Sequence, residues 1–322
     1  MCLWRAVPAS AATDAAATSA SVLLALPDVL QLRFVARIPS RSLRRTDNEF
    51  LNVYGLCALT DDEVLLACGL RGLRALGLKS AKLSDPKPSA LTLVYSVALD
   101  AATDTIVLAL AAQAQSRYID VGWLVSLQLV ADEWREVQRL QIEISSFLDW
   151  VGLSFAGDSR VLLGQCSKDR LYAFDVSVEH RLQPVGAVLL EKALFRFACT
   201  RLGADSLVAI VHYRSRCVSV ERLVGAGAEL HFESLAHTEL AGAWNVLFRG
   251  DHLLVSTLQT VVSFYVAVDG ARLRGRRELL GASARVCVID WCLAGELLVV
   301  RDLNSNDLLL YASGASQQEM RT

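Results

Sequence analysis

The sequence of 322 residues lacks several features that mark common classes of protein. It has no run of about 18 apolar residues, the length that a helix needs to cross a bilayer, and we therefore predict no membrane span. Its 32 Lys and Arg residues are balanced by 34 Asp and Glu residues, which leaves a formal net charge of −2. Proteins that bind nucleic acids normally carry a basic surplus, so this balance argues against a nucleic-acid partner.

Sequence motifs of catalysis and cofactor binding are also missing. The chain contains no G-x-x-x-x-G-K-[ST] loop, no G-x-G-x-x-G loop and no H-E-x-x-H pair, and it has no G-x-S-x-G elbow. Its five histidines are scattered, which argues against a histidine metal cluster. His212 ends an apolar strand and is interpreted as a structural, hydrogen-bonded histidine. We therefore predict no cofactor and no metal.

The cysteines do not form a metal or redox motif either. No two of the eight have C-x-x-C spacing, and most fall within strand patterns, where cysteine behaves as a small buried hydrophobe. This distribution predicts free thiols in a reducing compartment, and hence a cytoplasmic protein.

The sequence does contain a repeated hairpin, seen most clearly in Arg160–Val176 (RVLLGQCSKDRLYAFDV). In each of six copies, two short apolar strands flank a polar turn. The first strands are anchored at Val64, Ile106, Val161, Leu207, Leu253 and Leu297, with steps of 42, 55, 46, 46 and 44 residues. A period in the forties built from strand hairpins is typical of a β-propeller.

The ends of the repeat predict how the ring closes. Each blade needs four antiparallel strands, but the last copy supplies only three. Before the first blade, Val29–Ile38 alternates apolar and polar residues and predicts a strand. If this strand completes the last blade as its outer strand, the ring closes. Closure matters because an open sheet edge invites aggregation. Within the blades, the outer strand of blade 1 is expected to be short or missing, and Glu133–Ile142 is expected to be a strand despite its helix-like spacing.

The predicted fold is therefore all-β, a single six-bladed β-propeller of four-stranded antiparallel blades, closed by the N-terminal strand. The propeller covers residues 22–313. Residues 1–21 are predicted to be a disordered leader rich in Ala and Ser, and residues 314–322 a polar tail.

The period, the hairpins and the exchange of a terminal strand resemble the six-bladed β-propeller superfamily over roughly residues 29–313. That superfamily has Trp-Asp repeat, NHL-type and lactonase-like members. The Trp-Asp and Gly-His dipeptides of the first group are absent, and the reversed order occurs at Asp149–Trp150 and Asp290–Trp291. The resemblance specifies no functional subfamily.

Polar residues near the starts of the predicted innermost strands are the candidate site, because these starts surround one mouth of the central channel. They are Asn52, Asp149, Arg196, Asn245 and Asp290. Carboxylate and amide oxygens are ligands that Ca²⁺ uses, and the resemblance to lactonase-like propellers implies such a site at this place. Arg196 would repel a cation, however, so we interpret the set as a hydrogen-bonded collar.

Two functions follow from the predicted fold. The first is a non-enzymatic, monomeric scaffold that binds a protein or peptide partner through blade loops or the channel mouth. The second, implied by the resemblance, is a metal-dependent (Ca²⁺ or Zn²⁺) lactonase-like hydrolase with its site at that mouth. The sequence alone favours the scaffold, although this preference rests on fold analogy and a fold does not determine function.

Overall fold

The computed structural model describes residues 31–40, 52–84, 91–100, 102–111, 121–131, 133–143, 151–157, 159–212, 217–258, 260–267, 272–280 and 286–314. Regular structure in these ranges consists mainly of β-strands, with a 3₁₀ turn at Gly227–Glu229. The predicted leader, residues 1–21, lies outside the described residues, as does the predicted tail beyond Gly314.

The described strands form six antiparallel sheets of four strands each. We number the strands in chain order. In blades 1–5 the first strand lies at the channel and the fourth lies outermost. Blade 1 contains β2 (Gly55–Ala58), β3 (Glu63–Ala67), β4 (Leu73–Gly77) and β5 (Lys82–Leu83). Blade 2 contains β6 (Val94–Asp100), β7 (Thr105–Ala111), β8 (Val121–Val130) and β9 (Glu133–Glu143). Blade 3 contains β10 (Val151–Phe155), β11 (Arg160–Gln165), β12 (Arg170–Val176) and β13 (Leu182–Leu189).

The second half of the chain repeats this arrangement. Blade 4 contains β14 (Leu194–Leu202), β15 (Asp205–His212), β16 (Cys217–Val224) and β17 (His231–Glu239). Blade 5 contains β18 (Ala243–Arg249), β19 (His252–Thr257), β20 (Val261–Ala267) and β21 (Arg272–Leu280). Blade 6 contains β22 (Val288–Ala294), β23 (Leu297–Asp302), β24 (Leu308–Gly314) and, as its outermost strand, β1 (Gln31–Ile38).

The hydrophobic core lies between neighbouring blades, so each middle strand is buried on both faces. Every residue of β7 is buried, for example. Such strands read as continuous apolar runs because neither face meets water. The innermost strands contact one another in order around the channel, and β22 of blade 6 contacts β2 of blade 1. The ring is therefore closed.

Closure depends on β1, as the sequence predicted. It pairs antiparallel with β24, from Gln31 opposite Gly314 to Ile38 opposite Leu308. Asp307, which is buried, holds the end of β1: its carboxylate forms an ion pair with Arg37 and accepts the N–H of Ser40 at 2.7 Å.

The two ambiguous outer strands also follow the prediction. The outer strand of blade 1, β5, has only two residues. The segment with helix-like spacing forms the strand β9 and pairs with β8 along its whole length. The tertiary ladder overrides the local helical spacing because β8 needs a partner on its outer edge.

The seven cysteines in the described ranges are all free thiols, and Cys2 lies outside those ranges. This agrees with the prediction for the seven. In the described part of the chain, no helix has the length and hydrophobicity of a transmembrane segment.

Candidate functional site at the channel mouth

One position of the innermost strand recurs in every blade and organises the channel mouth. We call it the ring position and define it by the residue that it faces on the second strand. It is occupied by Gly55, Ser96, Gly152, Arg196, Asn245 and Asp290, opposite Ala67, Ala109, Gly164, Val211, Ser256 and Arg301. Three of the five residues predicted from the sequence therefore share one position in the repeat.

A β-bulge places the ring residue in four blades. The register shifts by one residue immediately before Ser96, Arg196, Asn245 and Asp290. A bulge leaves one residue unpaired and re-aims the next side chain. The ring residues that follow a bulge all carry polar groups, whereas the two blades without one have glycine at this position.

Two arginines lie close to the Asp290 carboxylate. Arg301 is its direct cross-strand partner, and Arg196, at the ring position of blade 4, interacts with it electrostatically. Both arginines are buried, with 6% of Arg196 and 8% of Arg301 exposed to solvent. The ring position of blade 6 therefore brings a carboxylate within electrostatic range of two buried guanidinium groups.

Burial and charge act on these groups in opposite directions. Burial raises the pKa of Asp290, while Arg196, the backbone N–H groups of Leu56 and Trp291, and Arg301 oppose that rise. Burial lowers the pKa of Arg196 to about 9, although the Asp290 charge counters the effect. Arg196 therefore remains protonated at pH 7. The pKa of Arg301 is lowered by burial too, and Asp290 again counters it.

Asp290 also connects two blades. Its Oδ2 accepts the backbone N–H of Leu56 at 2.7 Å, across the junction between blade 6 and blade 1. Ser96, at the ring position of blade 2, does the same with its hydroxyl, which accepts the N–H of Leu153 in blade 3 at 3.1 Å. An uncharged ring residue can thus link two blades through a hydrogen bond. Ser96 is therefore a reference for the contribution that Asp290 makes to the structure by its hydrogen bond alone.

The remaining predicted residues behave differently. Asn245 is buried, and its Oδ1 accepts the N–H of Val246 at 2.8 Å. Asn52 is exposed and lies three residues before the ring position of blade 1, so the structure does not bring it into the ring. Asp149 lies outside the described residues.

Sequence reasoning missed an aromatic collar at this mouth. An aromatic residue comes immediately before the ring position in four blades, at Tyr54, Tyr95, Phe195 and Trp244. The rings of Tyr54 and Tyr95 lie with centroids 4.7 Å apart, and those of Phe195 and Trp244 lie 4.9 Å apart. The sequence does carry a signal for this collar: at the same position of four repeats, an aromatic residue is followed by a small or polar residue.

Gly69 is required by the collar. Its φ of +54° suits glycine, and a Cβ there would lie 2.7 Å from Cε2 of Tyr54. The Gly69 backbone also exchanges two hydrogen bonds with Val94 in blade 2, of 2.7 and 3.0 Å. This contact holds Tyr54 next to the neighbouring blade.

The described donors do not fit a divalent cation. No group of three His, Cys, Asp or Glu side chains suited to metal binding occurs among the described residues. In the ring itself, one oxygen of Asn245 and one of Asp290 already accept backbone N–H groups. Arg196 adds a positive charge beside them.

Comparison with known proteins supports the fold and no closer relationship. No protein-family model matches the chain, and no curated protein matches it in sequence. A solved structure of a glucose dehydrogenase covers 89% of this chain and 100% of its own, with a TM-score of 0.61 and 11% identity. A structure from Thermus thermophilus described as an oxidoreductase (glucose dehydrogenase) covers 88% and 99%, with a TM-score of 0.59 and 11% identity. A structure of a Mitotic Checkpoint Complex covers 97% and 98%, with a TM-score of 0.54 and 13% identity.

These comparisons confirm the six-bladed β-propeller and correct the function that we placed first. The non-enzymatic scaffold was the wrong first choice, because the structures with the higher TM-scores of these three are enzymes. The reason for the error is physical: the sequence displays no catalytic motif, since a propeller collects its channel residues one from each blade. Of the two hypotheses, an enzyme fits these structures better than a scaffold does.

Proposed function

We propose that this chain is an enzyme that hydrolyses a small, oxygen-rich ring ester, a lactone, at the channel mouth. The observation that carries the proposal is the Asp290 carboxylate at the ring position, where the charges of Arg196 and Arg301 act on it, with the aromatic collar one residue before that position in four other blades. Two of the similar structures are described as glucose dehydrogenases, whose named substrate is a sugar, and a sugar lactone has a ring of the same shape.

The collar supports binding of such a ring. The exposed fraction of Tyr54 is 36%, and Tyr95, Phe195 and Trp244 are partly exposed. Aromatic faces pack against the apolar face of a saturated ring, while polar groups take its oxygens. The Arg196 guanidinium, which lies 5.8 Å from the Phe195 ring centroid, supplies donors for a carbonyl or carboxylate.

The chemistry assigned to the charged groups is a general-base hydrolysis. Asp290 takes a proton from a water molecule, whose oxygen forms a bond to the lactone carbonyl carbon. Arg196 stabilises the negative charge that develops on the carbonyl oxygen. The ring C–O bond then breaks, and the ring oxygen receives the proton from Asp290. The products are one hydroxyl and one carboxylic acid, which loses its proton to solvent, and the arginines bind the resulting carboxylate.

Metal-assisted hydrolysis was part of the second hypothesis from the sequence, and we leave it out of the proposal. The reason is the donor set: Asn245 is engaged with its own strand, and Arg196 occupies the space beside Asp290 where a cation would need a further oxygen. In this proposal the Arg196 guanidinium stabilises the negative charge on the carbonyl oxygen, a task that a metal ion would otherwise perform.

The test measures acid release from δ-gluconolactone above the spontaneous rate. Asp290→Asn keeps an oxygen acceptor for the Leu56 N–H but cannot act as a base. We expect it to lower kcat/KM by at least about 100-fold, the lower limit of a general base's contribution. Ser96→Ala removes the matching inter-blade hydrogen bond in blade 2 and should leave the rate within about twofold of the parent, a limit set by the modest value of a neutral hydrogen bond.

Several outcomes would contradict the proposal. The first is a parent protein with no rate above background on a panel of five- and six-membered lactones. A second is equal loss of rate in both variants together with equally lowered melting temperatures, which would make Asp290 only a link between blades. A third is a rate that EDTA abolishes and Ca²⁺ restores, which would replace the guanidinium by a metal.

The pH dependence gives a separate check. Only the ionised carboxylate can accept a proton, and burial raises the pKa of Asp290 above its ordinary value. The value of kcat/KM should therefore fall as the pH is lowered through that raised pKa, with a midpoint above 3.8. A rate that is constant between pH 3.5 and pH 8, about the span over which carboxylates and histidines titrate, would exclude Asp290 as the base.

A further inference from the structure

A groove between blades 3 and 4 holds a serine hydrogen-bonded to a histidine. It has a volume of about 630 Å³ and is open to solvent along one side. The end of β13 and the residues after it form one wall, and β15, β16 and β17 form the other. The groove is distinct from the channel mouth, because none of the residues that line it belongs to the ring or to the aromatic collar.

The serine and the histidine meet through strand register. Ser219 pairs with Ile210 across the β15–β16 hairpin, and His212 lies two residues further along β15 on the same face. The Ser219 hydroxyl lies 2.9 Å from His212 Nε2. Both side chains are buried, with 5% and 8% exposed, and both line the groove.

The surroundings of His212 favour its role as a base. A hydrogen bond with the Lys192 backbone acts on the imidazole, and Nε2 can accept the serine proton in the tautomer that is protonated at Nδ1. Burial lowers the pKa of His212, and the net shift is downward although the hydrogen bond with Lys192 raises it. The imidazole is therefore neutral at pH 7. Glu191 and Lys192 lie on the groove rim, exposed to solvent.

Cys217 is another nucleophilic side chain in the groove, two residues before Ser219 on the same strand face. Burial raises its pKa, an effect that Lys192 only partly offsets. A thiol with a raised pKa is protonated at neutral pH and is a poor nucleophile. Ser219, in contrast, is hydrogen-bonded to the base His212.

We propose that Ser219 and His212 form a second, acyl-accepting site that reacts with small esters. Two elements of an activated serine are present: a nucleophile, and a base within hydrogen-bonding distance of it. Leu189, Leu190 and Leu230 give the groove an apolar wall for the acyl chain, and Lys192 contributes a positive charge near the carbonyl oxygen.

The reaction balances without any further reagent. The Ser219 oxygen forms a bond to the ester carbonyl carbon while its proton moves to His212 Nε2. The carbon–alkoxide bond breaks, and the leaving alcohol takes that proton. Water then attacks the acyl-serine, gives its proton to His212, and releases the carboxylic acid as Ser219 regains a proton.

The experiment uses an alkyl fluorophosphonate, which forms an O–P bond with an activated serine and releases fluoride. Peptide mass spectrometry of the labelled full chain should place the adduct on Ser219. Ser219→Ala should remove it. Ser263→Ala is the matched control, because Ser263 is as buried (4% exposed) on the third strand of blade 5 but does not line the groove. This variant should label like the parent.

The histidines of the groove supply a second comparison. His212→Gln should slow labelling by at least about 100-fold, as expected for loss of a general base. His237→Gln changes an exposed histidine opposite Ser219 on β17 and should keep the parent rate. The parent rate should fall as the pH is lowered, with a midpoint below 6.5, because protonated His212 cannot accept a proton.

Outcomes against the proposal are clear. Absence of an adduct on Ser219 in the folded parent would overturn it, and so would labelling that His212→Gln leaves unchanged. The result is independent of the channel mouth, because Asp290→Asn should label normally. A protein that hydrolyses lactones but is not labelled would contradict only this site, and the reverse result would contradict only the proposed function.

Discussion

Asp307 shows how a single residue holds the closing strand. Burial alone would raise its pKa, but the Ser40 N–H and the Arg37 guanidinium together outweigh burial and lower it. The folded protein thus stabilises the charged carboxylate. Hydrogen bonds to a charged group contribute about 1.5–3 kcal/mol each, whereas an exposed ion pair contributes about 0–1 kcal/mol.

We expect Asp307→Asn to lower the free energy of unfolding by about 1.5–3 kcal/mol at pH 7. Because the folded pKa lies below the ordinary value of 3.8, the stabilisation is present above that pH and is lost as the pH falls below it. The difference between parent and variant, measured by urea titration, should therefore shrink as the pH is lowered below 3.8 and through the depressed pKa of the folded state.

Asp62→Asn is the control for this measurement. Asp62 forms a 2.6 Å ion pair with Lys79, but both side chains are largely exposed. Its loss should change stability by less than about 1 kcal/mol. If the two variants had equal effects at pH 7, burial of Asp307 would contribute nothing to the closure.

At the scale of the strand, the residues of β1 differ widely in how deeply they are buried. Ile38 is 3% exposed and packs in the core between blades 6 and 1, together with residues of both blades. Val35 is 48% exposed and lies at a register shift between Phe34 and Ala36. The buried end of the strand therefore contributes most of the packing.

Ile38→Ala is expected to lower the free energy of unfolding by about 2–5 kcal/mol, the range for removing a large aliphatic side chain from a core. Val35→Ala, in the same strand, should change it by no more than about 0.5 kcal/mol, since its side chain is half exposed. Urea unfolding followed by tryptophan fluorescence measures both. A loss in Val35→Ala as large as that in Ile38→Ala would show that β1 is not anchored through its buried face.

At the scale of the whole molecule, the closed ring couples the blades. The inner strands contact one another around the full circle, and the core lies between blades. Opening one blade would therefore expose two of the interfaces between blades. Thiols in different blades report on this coupling. Cys68 is buried and Cys57 and Cys199 are partly buried, and desolvation raises the pKa of all three to about 12.

We expect these three thiols to resist iodoacetamide in the folded protein and to react together when it unfolds. In dilute urea, peptide-resolved alkylation should proceed at one common rate for Cys57 in blade 1 and Cys199 in blade 4, because both wait for global opening. Cys287, whose pKa burial also raises, sits just before the first strand of blade 6 and is a third reporter. If Cys57 were alkylated much faster than Cys199, the closing blades would open on their own.

The sequence by itself determined the architecture, because that information is local. Alternation in Val29–Ile38, apolar runs such as Thr105–Ala111 and the spacing of the hairpins all reflect which faces of a strand are buried. The last blade was predicted to need a fourth strand because the last copy of the repeat supplies only three. Asn245, Arg196 and Asp290 were also found, since equivalent steps of a repeat meet around one axis.

Only the tertiary structure decided how the chemical groups combine. A one-residue bulge before Arg196 and Asp290 re-aims both side chains, and a bulge has no signature in the alternation of a short strand. The pairing of Ser219 with His212 depends on the register of one hairpin, and a slip of one residue would turn the serine to the opposite face. Local pattern specifies which segments become strands, whereas register and ring closure determine which side chains meet.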